Sequence, residues 1–354
     1  MFTRTDGMIG SYNYWAFSNT QGRHMSATIR ATTPDLRSEL LNWRERLESA
    51  ANDAPRNFEL DGLLREVRNA IERLSAPESY GVCQVCHELI GQAAMNADPL
   101  ARNCLSCLTP EQLADLDDDL GRAWLIQGEF LPKQNFKFNG WEVSYHYEPA
   151  GQLSGDYCDL VSTDAGDLYF LIGDVSGKGV AASLLMSRLH AIFRSLISAQ
   201  LSVSSLVEKA NHLFADNTMR PYYATLVCGK ASPNGNVEIC NAGHCPPLFM
   251  HDGIATPIAA TGLPVGMFCQ ESYESAHFTL AKGDRLLLYT DGLSEARDRT
   301  NQEYGDRLHK FLGGCANLPA ATVVNRLVED MRDFSSQSPI ADDLTVMAIE
   351  MVGH

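Results

Sequence analysis

The 354-residue chain is short of positive charge, of long apolar runs and of repeats, and each shortage narrows what it can be. Lys and Arg number 28 against 44 Asp and Glu, a formal net charge of -16. Such a chain repels polyanions, which speaks against a nucleic-acid partner or an anionic membrane surface. No apolar run approaches the roughly 20 residues that span a bilayer. Met1 to Met25 is polar and aromatic, without the charged start and apolar block of a secretory signal. The expectation is a cytoplasmic protein with no membrane partner and a flexible extension over residues 1–33. There is no internal repeat and no low-complexity tract. What is present is an ordinary globular composition, 45% hydrophobic, in a chain long enough for one large core plus an accessory module. Ten cysteines in a long chain of intracellular type point to metal binding or free thiols rather than disulfides.

Residues 34–75 carry a helical pattern. Leu36, Leu40, Leu41, Trp43 and Leu47 recur at intervals of about three and four, and after a break at Asn52–Asn57 so do Leu60, Leu63, Leu64, Val67, Ile71 and Leu74. Two amphipathic helices joined by a short turn form a hairpin. Thr109-Pro110-Glu111 has the form of a helix start, with Thr as N-cap and Pro at the first helical position. That helix is expected to run to Leu131, ahead of Pro132, with Leu113, Leu116, Leu120, Trp124 and Phe130 on its apolar side. From Trp141 onward short strand-like runs alternate with helical patterns at Ala181–Ser198, Val203–Asn217 and Ala320–Phe334. Closely spaced strands favour antiparallel pairing. The expected layout is an extension (1–33), a hairpin with a cysteine module (34–108), a linker helix (109–140) and a catalytic α+β domain (141–354).

Cys83-x2-Cys86 and Cys104-x2-Cys107, 17 residues apart, can together close a tetrahedral Zn²⁺ site. Four thiolates could also hold an iron–sulfur cluster. The stretch from Ser79-Tyr80-Gly81-Val82-Cys83 to Asn103-Cys104-Leu105-Ser106-Cys107 resembles the zinc finger of the DksA/TraR family, which also follows a helical hairpin. The resemblance implies one structural Zn²⁺. It extends to RNA polymerase binding less well, since the hairpin is short and its tip offers only Asp53.

Carboxylates recur in a second pattern: Gly151 to Asp159, Ile172-Gly173-Asp174-Val175-Ser176-Gly177-Lys178-Gly179, Tyr289-Thr290-Asp291-Gly292 and Ala341-Asp342-Asp343-Leu344-Thr345. Twice an apolar strand ends in an Asp followed by Gly. Asp and Gly are common turn residues, but several such segments in one domain point to a shared site. Carboxylates gathered at strand ends repel unless a cation lies between them, and hard oxygen ligands select Mg²⁺ or Mn²⁺.

These segments, in this order, resemble the SpoIIE/RsbU-like branch of the metal-dependent protein phosphatase (PPM) superfamily. The resemblance runs from about Asp117 onward and includes Trp124-Leu125-Ile126-Gln127 to Leu131-Pro132, similar to the family's pre-catalytic helix. It implies an αββα sandwich of two antiparallel sheets flanked by helices. It also implies that Asp174 bridges two Mn²⁺ or Mg²⁺ ions with the Val175 carbonyl as a further ligand. Asp291 and Asp342 would complete the ligand shell of the second metal, Asp343 being the alternative within the pair, and Asp156 would hold a metal-bound water or a third ion. Two such ions lower the pKa of a shared water toward neutrality for in-line attack on phosphorus. Eukaryotic type 2C members have His where this chain has Ser176, so His244 is considered for leaving-group protonation and Lys178 for the phosphate. The implied activity is hydrolysis of phosphoserine or phosphothreonine on a bacterial regulator, by resemblance a STAS-type anti-sigma-factor antagonist. The helix before the phosphatase would form a homodimer and carry control from the zinc module. The competing readings are a polymerase- or partner-binding zinc module with a silent phosphatase-like domain, and a phosphoesterase for a small molecule.

Overall fold

The run Leu168-Tyr169-Phe170-Leu171-Ile172 is apolar at every position because both of its faces are covered. Leu168, Phe170 and Ile172 point into a core between two sheets, whereas Tyr169 and Leu171 point into a core beneath helices. The computed structural model describes residues 40–45, 47–48, 58–75, 80–91, 94–95, 100–199, 201–216, 222–316, 318–336 and 338–353. The expected extension over 1–33 and the hairpin turn at Asn52–Asn57 lie outside them. The chain divides into two compact units, Met1–Ala114 and Asp115–His354.

In the first unit, helix α1 (Phe58–Ser75) buries Leu64, Val67, Ala70 and Leu74 along one stripe. Ala70 and Leu74 pack with Leu40 of the helical residues 40–45, as the hairpin expectation requires. A second small core joins Cys83, Ile90 and Met95. Helix α2 (Pro110–Gly128) starts in a capping box, Thr109 Oγ1 accepting from the Gln112 N–H and Gln112 Oε1 from the Thr109 N–H. It ends three residues before the expected Leu131. Its expected apolar side is not a buried face: Leu113, Leu116 and Trp124 are exposed, and Gln127 is the buried residue of the helix.

Among its described residues the second unit holds eleven strands. One sheet has the order β1 (Phe136–Phe138), β2 (Trp141–Glu148), β11 (Leu344–Met351), β10 (Arg285–Tyr289), β7 (Leu248–His251), β8 (Ile254–Pro257). The other runs β3 (Asp156–Ser162), β4 (Leu168–Val175), β5 (Ala224–Ala231), β6 (Asn236–Ala242), β9 (Ala276–Thr279). These strands pair with one another antiparallel throughout.

Helices α3 (Val180–Ile197) and α4 (Val203–Ala215) cover the second sheet. After a short turn α5 (Asp291–Ser294), helices α6 (Gly305–Gly313) and α7 (Ala320–Phe334) cover the first. The result is the expected αββα sandwich. Against the expectation of no such run, α3 is by length and mean hydropathy, 1.3 over 18 residues, apolar enough to cross a bilayer. It is instead a core helix. Ala182, Met186, Leu189, Phe193 and Ile197 are buried against the sheet, each large one contributing about 1.5–3 kcal/mol.

Candidate metal centre and active site

Antiparallel pairing brings the distant carboxylates together. In the β3–β4 register Asp156 stands directly opposite Asp174, and Asp174 stands opposite Thr225 of β5. In the facing sheet, β10 runs into Thr290 and Asp291 while Asp342 and Asp343 lead into the neighbouring β11. The sheets are joined at this end through hydroxyls. Thr290 Oγ1 donates to Asp156 Oδ2 at 3.0 Å and accepts from the Thr345 N–H at 2.9 Å, and Thr345 Oγ1 also donates to Asp156 Oδ2.

The charges are crowded. Burial, together with the charges of Asp291, Asp342 and Asp343, pushes Asp174 from its ordinary 3.8 to about 7. Burial, then the Asp174 charge, pushes Asp156 well above the carboxylate range, and burial followed by Asp342 raises Asp291. Asp156 Oδ1 is buried with no hydrogen-bond partner. An orphaned oxygen among hard, mutually repelling carboxylates fits a divalent cation of the Mn²⁺ or Mg²⁺ class.

The adjacent pair Asp342 and Asp343 divides its work. Asp343 is buried, and its two oxygens accept from the Ala150 N–H at 2.7 Å and the Gly155 N–H at 2.8 Å. It latches the loop that leads into Asp156. Asp342 is half-exposed and meets Lys178 Nζ at 2.8 Å across the site. Two glycines permit the approach. A Cβ at Gly292 would lie 2.0 Å from the Asp343 carbonyl, and one at Gly155 would lie 3.0 Å from the Val175 carbonyl and 3.3 Å from Asp174 Oδ1. Beside Lys178, Gly292 and Asp342 opens a cavity of about 370 Å³ lined also by Arg297, Ser338 and Ile340.

Residues 164–352 match the family model described as Stage II sporulation protein E (SpoIIE). The chain belongs to the SpoIIE family. Among its relatives are Protein IcfG of Synechocystis sp., 26% identical over 70% of this chain and 44% of its own length, and phosphoserine phosphatase RsbP of Bacillus subtilis, 30% identical over 44% and 40%. Phosphoserine phosphatase RsbU of the same organism is 29% identical over 57% of this chain and 60% of its own. The chain thus spans less than two thirds of the length of each of these relatives. Among solved structures, the RsbU and RsbW domains of a Mycobacterium tuberculosis protein align at 27% identity and TM-score 0.53, covering 62% of this chain and 61% of that one. The SiaA PP2C domain of Pseudomonas aeruginosa shares the fold, with TM-score 0.60 and 18% identity over 67% of this chain and 98% of that one.

This SpoIIE-family chain supports its site with contacts that the motifs by themselves do not show. Gln127, at the end of α2, donates to the Ser154 carbonyl at 2.8 Å and accepts from the Ser154 N–H at 3.1 Å. Ser154 Oγ in turn accepts from the Asp156 N–H. Ser176 joins the end of β4 to β5 by exchanging hydrogen bonds with the Tyr223 backbone. His244 is buried in its turn, with Nδ1 2.9 Å from Thr225 Oγ1 and its N–H donated to Asn241 Oδ1. Its Nε2 lies toward the Tyr289 carbonyl without a well-formed hydrogen bond. Burial holds its pKa at about 4, so it is neutral near pH 7 and unsuited to protonating a leaving group. Asp159, also within the first acidic segment, is buried away from solvent and bound in a fork by Arg194 of α3, at 2.7 and 2.6 Å.

In the first unit, Cys83, Cys86, Cys104 and Cys107 converge, one sulfur each within 4.8 Å of the others, and none is in a disulfide. The Val85 N–H points at Cys83 Sγ at 3.5 Å. Backbone N–H groups, that of Cys86 foremost, hold the Cys83 thiol down at about 6, as suits a thiolate ligand. Cys158, Cys228 and Cys240 are buried in the core.

Proposed function

We propose that this chain is a Mn²⁺- or Mg²⁺-dependent protein serine/threonine phosphatase. The observation that carries the reading is the convergence of Asp156, Asp174, Asp291 and Asp342 at one end of the sandwich, with an orphaned Asp156 oxygen and Asp174 raised to about 7. Similarity to phosphoserine phosphatases RsbP and RsbU supports it. Asp174, the Val175 carbonyl, Asp291 and Asp342 would hold two ions, and Asp156 an ordered water or a third. Asp343 is assigned to the loop latch, because backbone N–H groups already occupy both of its oxygens. When bound, the ions activate water for in-line attack on phosphorus and offset charge on the phosphoryl oxygens.

Lys178, which meets Asp342 and lines the neighbouring cavity, would turn toward a substrate phosphate, and that cavity would take the flanking peptide. The substrate class is a phosphorylated bacterial regulator of the STAS anti-sigma-factor-antagonist type. The four cysteines would hold one structural Zn²⁺ in a DksA/TraR-like finger. That finger and the hairpin, residues 34–108, would regulate the phosphatase domain, 141–354, through the linker helix. Exposed Leu116, Trp124, Leu125 and Ile126 on that helix supply a seam for a homodimer. The protein would act in the cytoplasm, without nucleic-acid or membrane partners. A silent phosphatase-like domain is the competing reading, and the complete carboxylate set weighs against it.

The test is Mn²⁺-dependent hydrolysis of p-nitrophenyl phosphate and of a phosphoserine protein by wild type and Asp174→Ala. Equal rates would refute the catalytic assignment. Zinc content after Cys83→Ser tests the finger, and deletion of residues 1–108 tests its control of rate.

A further inference from the structure

The cysteines outside the Cys-x2-Cys pairs show no ligand spacing in sequence, yet the fold gives one of them metal-binding company. His212 and Asp216 lie one helical turn apart at the C-terminal end of α4, and Cys269 comes from the segment between β8 and β9. Cys269 Sγ is 3.8 Å from His212 Nδ1 and 3.5 Å from Asp216 Oδ1, and His212 Nε2 is 3.7 Å from Asp216 Oδ2. One ligand atom from each residue falls within a 4.8 Å group. The cluster shares no residue with the carboxylate site.

Its geometry is held from behind. Asn211, buried and next to His212, accepts from the Gly266 N–H at 2.8 Å and donates to the Phe268 carbonyl at 2.9 Å. The helix residue that precedes one donor thus fixes the backbone that precedes another. With Zn–S of about 2.3 Å and Zn–N of about 2.0 Å, tetrahedral ligands stand about 3.5 Å apart. These contacts use both ring nitrogens and both carboxylate oxygens; with one donor atom per residue the separations are within 4.8 Å, and side-chain rotations of about 1 Å would bring one atom of each to ligand spacing. A thiolate, an imidazole and a carboxylate form a borderline donor set that selects Zn²⁺ over Mn²⁺ or Mg²⁺. Their two negative charges neutralise the dication, and all three residues are exposed to incoming metal.

We propose that His212, Asp216 and Cys269 form a second zinc-class site, with water in the fourth position, that staples residues 266–269 to the end of α4. Binding displaces the thiol proton to solvent. A trio that is only hydrogen-bonded would keep that proton and take up no ion.

The test uses the full-length protein in excess Mg²⁺ with Co²⁺ as the spectroscopic probe. Wild type should take up one equivalent more than Cys269→Ser, and the difference should carry thiolate-to-cobalt charge-transfer absorption. His212→Gln should weaken that equivalent by more than about tenfold, since losing a ligand exceeds losing an outer-shell partner. Cys83, Cys86, Cys104 and Cys107 contribute equally to all three proteins. Zn²⁺ should also protect Cys269 from iodoacetamide, read by mass spectrometry. Both substitutions are at exposed side chains, and circular dichroism confirms folding. Equal cobalt stoichiometry and charge-transfer absorption in wild type and Cys269→Ser, or Cys269 alkylation unchanged by Zn²⁺, would overturn the site.

Discussion

Gln127 and Ser154 hold one another in both directions, side-chain amide to backbone carbonyl and backbone N–H to side-chain oxygen, in a buried setting. The pair ties the end of α2 to the loop that leads into Asp156. Gln152 adds a second tie, donating to Asp117 of the same helix at 2.7 Å. Gln127→Ala leaves two buried backbone groups unpaired, at about 1–3 kcal/mol each. If about 1 kcal/mol of that falls on loop position, half-saturating Mn²⁺ rises about fivefold. A Mn²⁺ titration of phosphatase rate checks this, and an unchanged midpoint would remove Gln127 from site positioning.

Asp342 and Asp343 should separate by assay. Asp342→Asn is expected to weaken Mn²⁺ binding by tenfold or more, about 1.4 kcal/mol, with little change in metal-free melting temperature. Asp343→Ala should lower stability by about 2–4 kcal/mol through the lost charge-assisted bonds to Ala150 and Gly155. Isothermal titration with Mn²⁺ and thermal melts read the two effects, and the reverse pattern would exchange the roles.

Metal stabilisation should depend on pH. Asp174 moves from 3.8 to about 7 on folding, so the metal-free folded state holds an extra proton between those values. That contribution is fully present below 3.8 and is lost as pH rises through about 7. Cation binding needs the deprotonated form. The rise in melting temperature on adding Mn²⁺ should therefore grow as pH climbs toward 7 and then level off. A rise equal at acidic and neutral pH would contradict the assignment.

His244 shifts the other way. Its folded pKa is about 4 against an ordinary 6.5, so the stability linked to its neutral form is present above 6.5 and lost as pH falls toward 4. His244→Gln should flatten the acid limb of a stability-against-pH curve. Retention of the full slope would mean that other groups carry it.

The Asp159–Arg194 fork should respond unequally to its two ends. Arg194→Met leaves Asp159 buried and unpaired by any guanidinium, at about 3–5 kcal/mol. Asp159→Asn should cost less, because the Arg194 side chain is 43% exposed and can reach water. Denaturant melts of the two variants measure the asymmetry.

Much of the sandwich was legible before folding. Runs apolar on both faces, such as 168–172, and stripes such as Val323, Val324, Leu327 and Val328 identify strands and helices by period alone. The expected helix at Ala320–Phe334 matches α7 residue for residue. Strand β3 is not legible in the sequence, because Asp156 and Asp159 interrupt its apolar pattern, and both are buried for reasons that lie on other elements. The edge strands β8 and β9, four residues each, are too short for a period to register.

Residue type and order alone supplied the two donor sets, hard carboxylates at strand ends and two Cys-x2-Cys pairs. Tertiary structure alone decided the different contacts of Asp342 and Asp343, the partner of Gln127, the burial of His244 and the company of Cys269. The physical reason is range. A side chain's chemistry and its local period are set by near neighbours in sequence, but the N–H group that occupies a carboxylate, or the imidazole that meets a thiol, arrives from an element brought near only by packing.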